Sequence, residues 1–307
     1  MFSPTGKRKI FFSISAVLVV ASILLMIFKG FNMGIDFTGG NLYQFELGQK
    51  VTADTVKEIE SLVAETANVR AQDVSVQGTG ANPIDSNSEN TQVIIKTPEL
   101  SNETSEAVIK AVLDKYNRTQ DDKLNDEKVN GTVSGRLIGE ALKAIIIAVI
   151  LMLIYITIRF DFQSGTSSVL ALAHDVILML GFVSLFSVTI NTSFIAAVLT
   201  ILGYSINATI IIFDRIRENN KLMTKATPNE IADEAIRHSY TRAINSSLTT
   251  LFTIGALFVL GVTSIREFAL PIIVGIVVGT YSSLFVSGSF WAWWKGMGEK
   301  KPASAKK

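Results

Sequence analysis

The stretch Thr166–Val188, TSSVLALAHDVILMLGFVSLFSV, is apolar and long enough to cross a bilayer as a helix, yet it carries His174 and Asp175. At 1.5 Å of rise per residue, this pair lies roughly 13 Å into the span, near the midplane of a hydrocarbon core about 30 Å thick. An ionisable group at that depth costs at least ~2.5–3.5 kcal/mol unless it faces a partner, water or the bundle interior. The pair therefore predicts an ion pathway or a hydrogen-bonded contact between helices, and transport is the first hypothesis.

Five other apolar segments accompany this one, in a chain of 307 residues that is 48% hydrophobic. The sequence therefore predicts a polytopic α-helical membrane protein with six transmembrane helices. The first, Ile10–Phe28, follows basic residues as in a signal peptide, but no small-residue cleavage site follows it, so we expect a retained anchor. The predicted divisions are an N-terminus and first helix at 1–28, an outer segment at 29–136, helices at 137–158, 166–188, 194–213, 244–262 and 268–294, and a basic tail at 295–307.

The distribution of charge orients the chain. Residues 30–136 hold 10 basic and 17 acidic residues, whereas the rest holds 18 basic and 10 acidic ones. With the N-terminus in the cytoplasm, fifteen lysines and arginines lie in the inner loops and tails, and only Arg266 lies in a short outer loop. By the positive-inside rule, both termini are cytoplasmic and residues 29–136 are extracytoplasmic. An acidic block beside a basic one is typical of the two sides of a membrane, and it argues against a nucleic-acid partner.

The outer segment is long enough for one small domain. Its hydrophobic periodicity predicts the order β-α-β-β-α-β, which is the α+β, ferredoxin-like pattern. The six elements are Asn41–Leu47, Ala53–Ala64, Val69–Gln77, Gln92–Thr97, Thr104–Tyr116 and Lys128–Val133, with a flexible loop at Gly78–Asn90. On the cytoplasmic side, Pro228–Arg237 follows a capping Thr227 and predicts a short amphipathic helix on the membrane surface or a plain connector.

Polar residues also mark the fourth and fifth predicted spans. Gly203 and Asn207 are four residues apart and share a helix face, from which Asn207 is expected to hydrogen-bond across spans. Arg242 begins the fifth span, where it either extends to lipid headgroups or reaches inward toward Asp175.

Three other groups of residues predict structural roles. Charges of both signs at the inner end of the fourth span predict an ion-paired collar or ordinary interfacial anchoring: Asp214, Arg215, Arg217 and Glu218. Small residues four apart in the sixth span predict close helix packing: Gly275, Gly279, Ser283 and Ser287. A glycine-rich segment outside the first span predicts a tight turn that couples this span to the outer domain: Gly34, Asp36, Gly39 and Gly40.

The sequence carries no signature of an enzyme. It has no cysteine and only two histidines, His174 and His238, which are far apart in the predicted topology. Neither His-Glu-x-x-His nor Gly-x-Ser-x-Gly is present, so we expect no metal-dependent or serine–histidine catalysis. The prediction is a non-enzymatic protein without a cofactor.

Four motifs together resemble the SecD/SecF family of the bacterial Sec protein translocase, which is related to the resistance-nodulation-division transporters. They are Gly34-Ile-Asp-Phe-Thr-Gly-Gly40, Ala171-Leu-Ala-His-Asp175, Gly203-Tyr-Ser-Ile-Asn207 and Phe213-Asp-Arg-Ile-Arg-Glu-Asn219. The resemblance covers essentially the whole chain. It implies a SecD partner in a six-plus-six helix bundle of the cell membrane. It also implies ion-driven assistance to preproteins that pass through the SecYEG channel after the SecA motor.

The chain departs from the family pattern at one position. The family usually has an aspartate with a role in proton movement directly after the asparagine of Tyr-Ser-Ile-Asn, but this chain has Ala208 there. Because alanine carries no proton, we expect Asp175, or carboxylates of SecD, to carry the coupling. The family's arginine matches Arg242, which would tune the carboxylate, while His174 and Asp175 form the pathway.

Two alternative functions remain from the sequence. The first alternative is that the chain is half of a small-molecule efflux permease of the same superfamily. Such a permease normally has twice the spans and two large outer loops. Alternatively, the chain is a scaffold for SecD without ion conduction of its own, which Ala208 favours.

Overall fold

The computed structural model describes residues 3–80, 89–261 and 263–298. Its helices and strands, in chain order, are α1 (Arg8–Lys29), β1 (Asn32–Met33), α2 (Ile35–Thr38), β2 (Gly40–Glu46), α3 (Ala53–Ala67), β3 (Ser75–Thr79), β4 (Gln92–Thr97), α4 (Asn102–Lys115), β5 (Lys123–Val129), α5 (Gly131–Arg159), α6 (Phe162–Leu185), β6 (Thr189–Ile190), α7 (Thr192–Leu222), α8 (Pro228–Leu260), α9 (Thr263–Tyr281) and α10 (Gly288–Gly298). A π-helical turn, Ser282–Ser287, joins α9 to α10, so these three elements form one long sixth helix.

Within the described residues, six helices are long and apolar enough to cross a membrane: α1, α5, α6, α7, α8 and the sixth helix. This confirms the predicted six-helix membrane protein. The helices begin earlier than the apolar windows predict, because polar side chains cap them. The caps of α5, α6 and α7 are Asn130, Asp161 and Asn191, and each side chain accepts a backbone N–H of the first turn.

The predicted short helix at Pro228–Arg237 is wrong in its extent, because it continues directly into the helix that contains the start of the predicted fifth span, 244–262. Both belong to one continuous helix, α8, because neither glycine nor proline interrupts the chain between them. The apolar stripe of the first turns does not face lipid. Its members are buried in the bundle core: Ile231, Ala232, Ala235 and Ile236.

The outer domain contains a four-stranded antiparallel sheet in the order β3-β4-β2-β5. The predicted succession β-α-β-β-α-β is present, and α3 and α4 contribute to a separate apolar core with one face of the sheet. The ferredoxin-like assignment stays a prediction, and most of the predicted loop lies outside the described residues. The last strand was predicted at Lys128–Val133 but is Lys123–Val129, because this edge strand is polar on both faces and Asn130 already caps α5.

Candidate functional site

The carboxylate of Asp175 lies inside the helix bundle and accepts hydrogen bonds from three helices. On its own helix, His174 Nδ1 lies 2.9 Å from Asp175 Oδ1. From α7, Ser205 Oγ donates to Oδ2 at 2.5 Å, and from the sixth helix Ser282 Oγ donates to the same oxygen at 2.7 Å. Asp175 is 1% exposed and His174 is 8% exposed. These bonds offset the cost of a buried polar group and join three helices at one point.

Small residues bring the helices close enough for the short serine side chains to reach this carboxylate. A Cβ atom on Gly279 would lie 3.1 Å from Ser205 Cβ, and one on Gly275 would lie 2.5 Å from Ile201 Cδ1. The two other members of the predicted packing stripe are fully buried: Ser283 and Ser287. The stripe therefore lies against other helices of this chain, where small residues permit close backbone approach.

His174 extends the polar cluster toward α1. Its Nε2 atom is buried and has no hydrogen-bond partner among the described residues, while its ring lies 6.2 Å from the ring of Tyr281. The hydroxyl of Tyr281 donates to the carbonyl oxygen of Phe11 at 3.0 Å and lies 3.2 Å from Ser15 Oγ. The imidazole and the carboxylate thus form a buried polar pair, in which one ring nitrogen has no hydrogen-bond partner among the described residues.

The predicted glycine turn attaches the end of α1 to the start of α7. The backbone N–H of Gly34 donates to Ile190 O at 2.8 Å, and β1 pairs in parallel with β6 just before α7. Asp36 Oδ2 accepts the backbone N–H and the hydroxyl of Thr192, each at 2.7 Å. A carboxylate at this position accepts a free N–H of the first turn, and its negative charge interacts favourably with the positive end of the helix dipole. The turn is therefore fixed to the helix that carries Ser205.

The paired glycines of this turn are required by backbone geometry. Gly39 has φ +71° and Gly40 has φ +122°, both in the region that L side chains rarely adopt. A Cβ atom on Gly40 would lie 2.1 Å from Thr97 O, and one on Gly39 would lie 3.1 Å from the Cα atom of Gly131. The two glycines let the chain pass between the outer sheet and the start of α5.

A polar junction beside the turn holds the outer domain on the bundle. Lys96 of β4 donates to Asn32 Oδ1 at 3.2 Å. Glu267 of α9 accepts from Thr189 Oγ1 at 3.2 Å and from Asn191 Nδ2 at 3.4 Å. Burial lowers the pKa of Lys96, and the nearby Glu267 carboxylate partly offsets this shift. The contact between the outer domain and the segment that follows α1 therefore includes the hydrogen bond from Lys96 to Asn32.

Two known family descriptions match most of the chain. The family described as "Protein export membrane protein SecD/SecF, C-terminal" matches residues 108–297. The chain belongs to the SecD/SecF family. A second family description, "SecD/SecF GG Motif", matches residues 24–51, which include the glycine turn.

Individual SecD/SecF proteins align over nearly the whole chain. Protein translocase subunit SecF of Sebaldella termitidis is 36% identical over 91% of this chain and 87% of its own length. Protein translocase subunit SecDF of Bacillus subtilis is 33% identical over 98% of this chain but only 39% of its own length. A crystal structure of SecDF from Thermus, described as a translocon-associated membrane protein, superposes with a TM-score of 0.85 at 33% identity, over 96% of this chain and 38% of that one.

In this SecD/SecF member, Asn207 and Arg242 do not reach Asp175. Both side chains are exposed, and neither has a hydrogen bond or ion pair with Asp175 among the described residues. Asn207 is two residues after Ser205, about 200° around α7, so the two side chains point to different sides of the helix. Ala208 is half-buried on α7.

Ion pairs are present at the inner end of α7, but one partner comes from α5. Arg159 NH2 lies 2.9 Å from Asp214 Oδ1, and Arg217 NH2 lies 3.5 Å from the same oxygen. Arg215 pairs with Glu218 at 2.6 Å. These side chains are 38–54% exposed, so each pair contributes little to stability, and only the Arg159–Asp214 pair joins α5 to α7.

The sequence alone does not indicate that Ser205 and Ser282 contact Asp175. Serine is common in membrane helices, so a single serine in a span is a weak signal. Ser205 stands within the Gly203–Asn207 motif, which was its only indication. Ser282 follows Tyr281 at the start of the π turn, and apolar periodicity gives no sign of that turn.

Gly279→Leu is expected to reduce the free energy of unfolding by about 1–3 kcal/mol, the usual cost of overpacking. The added side chain would enter the space of Ser205, since even a Cβ atom at Gly279 is 3.1 Å from it. Thermal unfolding of the detergent-solubilised protein measures the change. Gly255→Leu is the matched control, because no described atom lies within 4 Å of a Cβ atom there. Equal stability of the two variants would show that α9 and α7 are not in close contact.

Proposed function

We propose that this SecD/SecF member serves protein export as a partner of SecD and couples the proton gradient to export through Asp175. Its family and its relatives named protein translocase subunit support the role in export. The observation that carries the coupling is the buried carboxylate, which accepts hydrogen bonds from α6, α7 and the sixth helix at once. A change in its charge alters bonds to all three helices, so a proton can be converted into a helix movement.

An exposed polar strip on α7 and α8 supports a helical partner in the membrane. Its members lie within the spans and are exposed in this chain: Asn207, Asn245, Ser246 and Thr249. Gly203, four residues before Asn207, has open space where a Cβ atom would stand. Polar side chains are costly against lipid tails, and small residues permit close approach of a second helix. We assign this strip to SecD, because SecDF of Bacillus subtilis is much longer than this chain.

The remaining partners follow from the same proposal. The SecYEG channel, the SecA motor and the translocating preprotein are contacted by the assembled complex, which sits in the cytoplasmic membrane. The protein itself is not an enzyme and needs no cofactor in this scheme, since the driving energy comes from the ion gradient.

Export by membrane vesicles tests the coupling. Vesicles that lack SecD and SecF are supplied with SecD and this chain, and preprotein export is measured with ATP, with and without a protonophore. We expect the chain to increase the export rate only while the proton gradient is present. An equal increase after addition of the protonophore would favour the scaffold function instead.

The topology is testable because the sequence has no cysteine. A cysteine at Lys57, exposed on α3, should react in intact cells with a membrane-impermeant maleimide. A cysteine at Lys225, exposed in the loop between α7 and α8, should react only after the cells are opened. This result is expected because the positive-inside rule assigns the loops rich in lysine and arginine to the cytoplasm. The opposite labelling would invert the proposed orientation.

A further inference from the structure

The sixth helix changes its backbone register where it meets Asp175. Ser282–Ser287 form a π turn, in which the hydrogen bonds run over five residues and one surplus residue is accommodated. Ser282, the first residue of this turn, donates to Asp175 Oδ2. Such turns are rare and are concentrated at functional sites. The surplus residue therefore stands at the contact between the helix and the carboxylate.

The hydroxyl of Ser282 has two acceptors within reach but one hydrogen to donate. Asp175 Oδ2 lies at 2.7 Å, and the carbonyl oxygen of Gly279 on the preceding turn lies at 3.3 Å. While Asp175 is ionised, the charge-assisted bond to Oδ2 is the stronger one. Once the carboxyl group is protonated, this advantage is lost, and Gly279 O becomes the competing acceptor within the helix.

Beyond the π turn, α10 packs against α8 where Gly288 of α10 lies beside Ile236 of α8. A Cβ atom on Gly288 would lie 3.1 Å from Ile236 Cδ1 and 3.5 Å from Ile236 Cγ1. Trp291, one turn further, is 1% exposed. If the π turn became α-helical without a change in sequence, α10 would rotate by about 100° and shift by about 1.5 Å. We expect α10 to rotate rather than α9, because α9 is closely packed against α7 at Gly275 and Gly279 and has no room to turn.

We propose that the π turn Ser282–Ser287 is a register switch. The charge of Asp175, acting through Ser282, selects the π or the α form of the turn, and the form selects which face of α10 meets α8. The switch rests on the proposed function, because Asp175 must change its charge during export. It adds a route from the middle of the bundle to its cytoplasmic end.

The surroundings of Asp175 contain few other groups that could act on the turn. The titratable groups beside it are His174 on α6 and, across the His174 ring, Tyr281 at the end of α9. From α7 the contact is the neutral Ser205, and α1 contributes a carbonyl and a hydroxyl to Tyr281. Within the described residues, His174 is the one basic side chain beside the Asp175 carboxylate, with its Nδ1 atom 2.9 Å from Oδ1.

A pair of cysteines reports the register directly. In Ile236→Cys/Gly288→Cys the two side chains are neighbours, because a Cβ atom on residue 288 would lie 3.5 Å from Ile236 Cγ1, and no native cysteine competes. We expect rapid oxidative cross-linking in the parent background in the assembled complex with SecD. Adding Asp175→Asn, which removes the charge, should slow cross-linking at least about tenfold, because a 100° rotation separates the two residues. Asp161→Asn, the same change at the cap of α6, should leave the rate unchanged.

The outcomes separate the switch from the proposed function. Equal cross-linking with and without Asp175→Asn would overturn the switch, whatever the export rate. If Asp175→Asn loses export and the cross-link is unchanged, coupling through Asp175 stands and the switch is wrong. If the cross-link slows and export is unchanged, the register change stands and the coupling is wrong.

Deleting Ser283 is an independent test of the surplus residue. A deletion within a π turn restores an α-helix and leaves both flanks in place, so the complex should assemble and cross-link as the parent does. The cross-link should then no longer respond to Asp175→Asn. Deleting Val277 in α9, the matched control, should abolish assembly, because it rotates everything beyond it. Failure of both deletions to assemble would show that the π turn contains no surplus residue, and the switch would be wrong.

Discussion

Asp175→Asn is expected to lower proton-driven preprotein export by about 10- to 50-fold while the complex still assembles. One charge that crosses 100 mV supplies ~2.3 kcal/mol, which is a rate factor of about 50 when 1.36 kcal/mol is tenfold. Asparagine has nearly the same size and still offers an oxygen to Ser205, but it carries no charge and does not titrate. The measurement is the initial export rate in vesicles with and without a proton gradient.

The matched control for this prediction is Asp161→Asn on the same helix. Asp161 caps α6 by accepting the backbone N–H of Ser164, and asparagine caps helices equally well. Its export rate should therefore equal that of the parent. If Asp175→Asn also exports at the parental rate under a full gradient, this chain does not couple protons through Asp175 and acts as a scaffold for SecD.

Gly40→Ala is expected to destabilise the attachment of the outer domain by about 2–6 kcal/mol, the sum of backbone strain and overpacking. The backbone of Gly40 has φ +122°, and an added Cβ atom would lie 2.1 Å from Thr97 O. The pairing of β2 with β4 begins at the neighbouring pair Asn41 and Thr97, so the end of the sheet must open to relieve the contact. Thermal unfolding and the rate of proteolysis within the outer domain measure the effect.

Two other glycines separate the causes of that effect. Gly30 has φ +70° but no described atom within 4 Å of a Cβ atom, so Gly30→Ala should show the backbone strain alone. Gly131 has neither a positive φ nor a close neighbour for a Cβ atom, so Gly131→Ala should change little. If Gly40→Ala unfolds no more easily than Gly30→Ala, the turn yields to the added atom, and it is not a rigid link between α1 and the outer sheet.

The sequence predicts the six helices because each span is a long apolar window, a signal that depends on no contact between helices. Prediction from the sequence fails where the extent of a helix or strand depends on contacts with other elements. The polar interval between Arg237 and Arg242 suggests the end of one helix and the start of another, but the apolar stripe at Ile231–Ile236 is covered by the bundle, so α8 continues. The position of β5 is missed for a related reason, since an edge strand needs no alternation.

The candidate site is predictable only at its centre. Asp175 stands out because a charged residue in an apolar span is costly wherever it faces lipid. Which neutral side chains meet it depends on how α7 and the sixth helix are rotated, and the π turn changes that rotation for part of the sixth helix. Asn207 entered the predicted pathway by its polarity and by resemblance, but its place on α7 turns it away from the carboxylate.

Helix α7 reaches from one end of the bundle to the other as a single rod. Its 31 residues correspond to about 46 Å. At its first residue, Thr192, α7 donates a backbone hydrogen bond to Asp36 of the glycine turn. Further along, Ser205 donates to the buried Asp175, and near the other end Asp214 forms an ion pair with Arg159. A shift of α7 along its axis would therefore change the contact with Asp36 and the contact with Arg159 together. One continuous helix therefore links the buried carboxylate to the glycine turn at one end of the bundle and to the ion pairs at the other end.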